Sequence, residues 1–202
     1  MRMSLPERLH VVCTKEDKYM CKVLAFLADG LEEVECLAVV DVLRRADIDV
    51  TLVSMSGNKQ VTGSHGITIV ADALYGETNP QEADLLFLPG GMPGTANLKA
   101  HKQLGEALEE ANRQGRRIAA ICAAPSVLGS LGLLKGKTAT CYPGYEEQLD
   151  GASCSQAGVI TDGNITTARG LGYALDLGIE LVRLFSGSEH AAKVKRAIQY
   201  ER

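Results

Sequence analysis

The chain has 202 residues, 23% of them charged, with a formal net charge of −4 and no tryptophan. An acidic balance (pI near 5.6) gives no general pull toward nucleic acid or anionic lipid, and no apolar run approaches the ~20 residues of a membrane span. Six cysteines without paired spacing, with no C-x-x-C and no zinc-spaced His/Cys cluster, point to a reduced, cytoplasmic protein with no metal, no cofactor, and neither nucleic acid nor membrane as partner.

Residues 1–19 read as foreign to the domain. Arg2, Glu7, Arg8 and His10 interrupt any apolar stretch, and Lys15-Glu16-Asp17-Lys18 stands where a signal cleavage site would be. Regular patterning starts at Met20, so the expectation is an N-terminal arm over 1–19, or a natural start at Met20, followed by one domain over 20–202.

Val23–Leu27 is a buried-strand run. From Glu33 to Ala46 the apolar residues Val34, Leu37, Ala38, Val42 and Leu43 have helical spacing, and Asp49–Met55 alternates as a strand. Val61–Ile69 reads as two short strands around a glycine-bounded turn. Asp84–Leu88 is the next strand and stops at Pro89-Gly90-Gly91-Met92-Pro93-Gly94. A helix over Lys99–Gln114 leads to a strand at Ile118–Ile121, then a helix after Cys122 that ends near Gly132. Lys137–Thr140 is a short strand, and Asp162-Gly163-Asn164 joins Val159–Thr161 to Ile165–Thr167 as a hairpin. Helices over Leu171–Leu184 and Ser188–Gln199, the second capped by Ser188, close the chain. This alternation predicts an α/β fold, a mainly parallel sheet covered by helices on both faces.

In such sheets ligands sit beyond the carboxyl ends of the strands. Three unusual segments fall there: Ala28–Glu35, Pro89–Gly94 and Cys122. A thiol at a strand-to-helix junction faces unpaired N–H groups and the helix dipole, which lower a cysteine pKa. The same position also suits a small buried core residue; the convergence of the three segments favours function.

Neither glycine-rich stretch binds a nucleotide by its pattern. Pro89–Gly94 lacks G-x-G-x-x-G spacing, and Gly132–Thr138 is one residue short of a P-loop and follows a helix. Gly91 can instead bring backbone N–H groups to a substrate oxygen, or simply make a tight turn. Glu32 and Glu33 suit dipole complementation at a helix start. Glu35, between Val34 and Cys36-Leu37, suits a carboxyl of raised pKa that donates to a thiolate. No histidine adjoins Cys122. His101 and His190 read as solvated and His65 is the histidine retained, while Cys141 sits beside Tyr142 at a strand end. Cys21, Cys36 and Cys154 read as packing residues, and Cys13 lies in the arm.

Four stretches together resemble the DJ-1/ThiJ/PfpI superfamily, its DJ-1 branch in particular, over about residues 20–200. They are Ala28-Asp29-Gly30-Leu31-Glu32-Glu33-Val34-Glu35, Val39–Ala46, Leu88-Pro89-Gly90-Gly91 and Ala119-Ala120-Ile121-Cys122-Ala123-Ala124-Pro125. The resemblance implies a flavodoxin-like three-layer sandwich, a homodimer, and Cys122 as a nucleophile on a strained elbow. It implies Glu35 as the protonated partner carboxyl and Gly91 and Ala123 as donors to an oxyanion. It further implies that His65 acts in trans on a neighbouring subunit and that Arg169 lines the pocket. Ala123 stands where peptidase-like members and the stand-alone glyoxalase branch carry histidine, which argues against proteolysis. Tyr142 replaces a histidine of the DJ-1 branch, and a phenol is a poor neutral-pH base. Three functions follow as expectations: an enzyme acting on small reactive carbonyls (a glyoxalase, or a deglycase of early glycation adducts), a redox sensor and stress-response, chaperone-like dimer in which Cys122 becomes a sulfinate, or a non-catalytic binding role.

Overall fold

A computed structural model describes residues 21–201. The expected N-terminal arm, residues 1–19, lies outside the described residues. In chain order the strands and helices are β1 (Lys22–Leu27), α1 (Glu33–Arg45), β2 (Asp49–Ser54), β3 (Gln60–Thr62), β4 (Thr68–Val70), β5 (Ala73–Leu74), β6 (Leu85–Leu88), α2 (Gly94–Ala100), α3 (Lys102–Arg113), β7 (Arg117–Ile121), α4 (Pro125–Ser130), β8 (Thr138–Ala139), β9 (Ser153–Cys154), β10 (Val159–Asp162), β11 (Ile165–Ala168) and α5 (Ala174–Ala197).

The central sheet has seven strands in the order β10-β11-β7-β6-β1-β2-β5. Its neighbours run parallel except for the antiparallel β10–β11 hairpin at one edge. Near-continuous apolar strands are what a sheet covered on both faces requires. One face carries Val23, Ala25, Leu27, Phe87 and Ile121 against α1 and α5. The other carries Leu24, Phe26, Leu86, Leu88 and Ile118 against Leu98, Leu104, Leu108 and Leu128 of α2, α3 and α4. This is the expected flavodoxin-like sandwich. Because β2 lies on one side of β1 and β6 on the other, the chain reverses its winding between β1 and β6. A crevice opens there at the carboxyl ends of the strands.

Two predicted helices differ in detail. The Lys99–Gln114 segment is interrupted at His101, whose extended backbone (φ −82°, ψ 96°) ends α2, and whose Nδ1 accepts from Leu104 N–H at 3.2 Å to start α3. The His101 ring also packs against Tyr75, tilted by 58° with centroids 4.7 Å apart, so it is a packed cap and not the solvated residue expected. Near the end of the chain a 3-10 turn occupies Leu171–Tyr173 and the helix starts at Ala174. Gly187 (φ 82°) breaks α5 where the sequence separates two helices. His190 is half-buried, with Nε2 enclosed and unbonded among the described residues, again not solvated.

Phe87 lies in the middle of the sheet, fully buried, opposite Ala25 on β1 and Ala119 on β7. Its ring fills volume that both neighbours leave open. Phe87→Ala would set three alanines side by side and leave a cavity, at a cost of about 3–5 kcal/mol. Urea unfolding should show a lower midpoint at unchanged slope.

Candidate active site

The site assembles where the β1, β6 and β7 loops meet. Leaving β7, the chain turns at Cys122, the one residue of the segment with positive φ (64°). A side chain other than glycine in that region is strained and persists only where its surroundings fix it. Two hydrogen bonds do so: Cys122 N–H donates to Ala168 O at 2.9 Å, and Cys122 O accepts from Tyr142 N–H at 2.8 Å. Backbone N–H groups of Gly91 and Ala123 point at the half-buried sulfur.

Glu35 arrives from the first turn of α1. Glu32 caps this helix, its Oε2 accepting from Glu35 N–H at 2.6 Å. The Glu35 carboxyl is only 1% exposed and contacts the Cys122 thiol. Gly90 N–H donates to its Oε2 at 3.2 Å, and the N–H of Leu171 also bonds it. Burial, and secondarily the nearby Glu32 carboxylate, push Glu35 up to about 7.

The same surroundings raise the Cys122 thiol to about 12, through burial first and then the facing Glu35 carboxylate. The expectation that the helix start lowers this pKa is therefore corrected: the Ala123 and Gly91 N–H groups pull downward but are outweighed. Two of the upward causes belong to Glu35 in its charged form. When Glu35 keeps its proton, that push is replaced by a hydrogen bond to sulfur. The two groups thus titrate as a pair.

Glycine is required at two positions. A Cβ on Gly90 would stand 2.5 Å from both Cys122 Cβ and Glu35 Oε2, and one on Gly91 (φ 90°) would stand 2.1 Å from Glu32 N. Sequence reasoning singled out Gly91 and passed over Gly90, whose place beside it in Pro-Gly-Gly was the available signal. Leu171 was also passed over. Its contribution is a backbone N–H, for which side-chain identity carries no signal.

The remaining sequence candidates are spread more widely. Tyr142 is 51% exposed, its ring 3.4 Å from where a Gly170 Cβ would stand, on the Glu35 side of the pocket. Cys141 next to it is buried, its thiol pushed up to about 12 first by that burial. The Arg169 guanidinium donates to Gln156 O at 3.2 Å and its charge acts on Cys141. His65 bonds to Glu33. Neither Arg169 nor His65 has a polar contact with Cys122 among the described residues. Glu33 does more than complement the helix dipole: 1% exposed, it accepts from His65 N–H at 2.9 Å, Ile67 N–H at 3.2 Å and the His65 ring. Cys21 and Cys36 are buried as expected and Cys154 is exposed, but Cys21 is disulfide-bonded, which corrects the expectation of a fully reduced protein.

The arrangement is a thiol, a carboxyl whose pKa is raised to about 7, and two amide donors around one atom. The acid can pass a proton to or from a bound group while the amides hold an oxyanion.

Known proteins carry the same arrangement of chain. Residues 21–184 match the DJ-1/PfpI family. The Arabidopsis thaliana protein DJ-1 homolog B is 42% identical over 177 residues, 86% of this chain and 40% of that one. The chain thus spans about two-fifths of that plant relative's length. A protein named as a deglycase in Pyrococcus abyssi is 32% identical over 150 residues, 73% of this chain and 89% of that one. The oxidized Toxoplasma gondii DJ-1 structure superposes with a TM-score of 0.86 at 32% identity, covering 90% of this chain and 100% of that one. With fold and sequence in agreement, the chain belongs to the DJ-1/PfpI family.

Proposed function

We propose that the protein is a cysteine-dependent enzyme acting on small reactive carbonyls, as a glutathione-independent glyoxalase or a deglycase of early glycation adducts. The observation that carries this reading is the contact of the buried Glu35 carboxyl with Cys122, whose sulfur also faces the Gly91 and Ala123 amides. The Cys122 thiolate adds to the carbonyl carbon, and the oxygen takes up the electron pair. The amides hold the oxyanion, and Glu35 supplies and recovers the proton. The deglycase name of the Pyrococcus relative supports the substrate class. Alanine at 123 leaves no histidine next to the nucleophile, which disfavours peptide hydrolysis. Among the described residues no helix is long and apolar enough to cross a membrane.

One observation favours a second reading. A carboxylic acid held against sulfur would also bond a sulfinate oxygen, and the Toxoplasma relative is an oxidized DJ-1. In that reading Cys122 is a peroxide sensor. Methylglyoxal turnover in glutathione-free buffer separates the two. The enzyme reading expects saturable turnover, abolished in Cys122→Ser and reduced at least a hundredfold in Glu35→Gln. Stoichiometric peroxide uptake at Cys122 without turnover establishes the sensor instead.

The exposed apolar side chains suggest a homodimer. Val34 and Leu37 lie on α1, beside Ile67, whose N–H bonds Glu33, and Leu171, whose N–H bonds Glu35. They surround one end of α1 as a patch that a second copy would cover. Light scattering of a Val34→Lys/Leu37→Lys variant should then give half the wild-type mass; an unchanged mass places the interface elsewhere.

The protonation pattern fixes a pH dependence. The pair loses its first proton near 7 and its second only near 12. A thiolate at neutral pH therefore requires the remaining proton to sit on Glu35. Iodoacetamide labelling of Cys122 in EDTA should rise as pH passes through about 7 and then level off. Glu35→Gln should remove that inflection and leave a single thiol titration. Wild-type labelling that climbs only toward the alkaline limit would reject the thiolate mechanism.

A further inference from the structure

Beside the Cys122 pocket, α1 and the β3–β4 turn bring two carboxylates and an imidazole together. One donor atom from each of Glu32, Glu33 and His65 lies within 4.8 Å of the others. The histidine is more than thirty positions away in sequence, so no local spacing reveals the set.

Each carboxylate has one oxygen fixed by backbone and the other turned toward the ring. Glu32 Oε2 accepts from Glu35 N–H at 2.6 Å. Its Oε1 accepts no hydrogen bond among the described residues and stands 3.7 Å from His65 Nδ1, in a residue only 9% exposed. Glu33 Oε1 accepts from the His65 and Ile67 N–H groups, while Oε2 faces His65 Nδ1 at 3.0 Å. Amide bonds to the far oxygen of a ligating carboxylate are the outer-shell support that orients metal ligands.

The spacing also fits. Zinc bound tetrahedrally to oxygen and nitrogen at about 2.0–2.2 Å separates its ligand atoms by roughly 3.3–3.5 Å. The ring nitrogen's distances of 3.0 and 3.7 Å to the two oxygens bracket that edge. Two carboxylates with one imidazole suit a divalent first-row transition ion.

We propose that Glu32 Oε1, Glu33 Oε2 and His65 Nδ1 form a binding site for such an ion, with zinc as the probe. Binding displaces the proton between Glu33 and His65 and leaves the fourth position to solvent, since the His65 side chain is 67% exposed. The ion joins α1 to the β3–β4 turn. None of its three donor atoms bonds Cys122 or the Glu35 carboxyl, so its binding is measured apart from the carbonyl reaction even though the Glu32 charge acts on Glu35.

The test is calorimetric titration of the reduced full-length protein with zinc chloride, alongside His65→Ala and Cys122→Ser, followed by cobalt(II) absorption. His65 is exposed, so its replacement leaves the fold intact, which circular dichroism checks. The expected result is one equivalent bound by wild type and by Cys122→Ser, with affinity at least tenfold weaker in His65→Ala. The cobalt form should show ligand-field bands without thiolate charge transfer. No binding, binding indifferent to His65→Ala, or binding lost in Cys122→Ser with a thiolate band in the wild type would each overturn the proposal.

Discussion

A carboxyl group buried against a sulfur atom is the constraint around which this end of the molecule is organised. Glu35 is held by backbone from two other loops, Gly90 after β6 and Leu171 before α5. It sits on a helix start that Glu32 caps. An acid taken out of water this far is stable only when protonated or fully bonded. Its neighbours therefore cannot be arbitrary. Gly90 must lack a side chain to let the acid and the thiol meet, and the crossover from β1 to β6 must deliver both loops to one crevice.

The thiol is the contested member of that arrangement. Burial opposes charge on sulfur, while the Gly91 and Ala123 amides favour it. A helix dipole alone does not win this contest, because α4 has only six residues and begins beyond the elbow, at Pro125. What decides is the location of the proton on the partner. A neutral acid turns from a like charge into a donor, so the identity of position 35 governs sulfur more than the helix does.

Much of the fold was legible because burial on both faces leaves strands as unbroken apolar runs, and Val23–Leu27, Leu85–Leu88 and Ile118–Ile121 are such runs. The break at His101 was not, since a histidine capping its own following turn leaves no pattern apart from its neighbours. At the site, Cys122 and Glu35 stood out because their types and local contexts carry the chemistry. Groups acting through backbone, such as Leu171, or through partners distant in sequence, such as Glu33 with His65, did not. Arg169, which the resemblance places at the pocket, donates its guanidinium to Gln156 O and acts by charge on Cys141.

The β3–β4 hairpin is a two-stranded ribbon outside the central sheet, a unit that is marginal in isolation. Its order is borrowed. Gly30 N–H donates to Thr62 O, Thr62 N–H to Asp29 Oδ1 and Ser64 N–H to Leu31 O, at 2.8–2.9 Å, and Glu33 receives the turn itself. All of these anchors belong to the stretch that leads into Glu35. The hairpin and the stretch 29–33 are thus tied into one hydrogen-bonded unit, of the kind that opens together. A disturbance of this surface ribbon is therefore felt first along 29–33, one turn of chain before the proton donor.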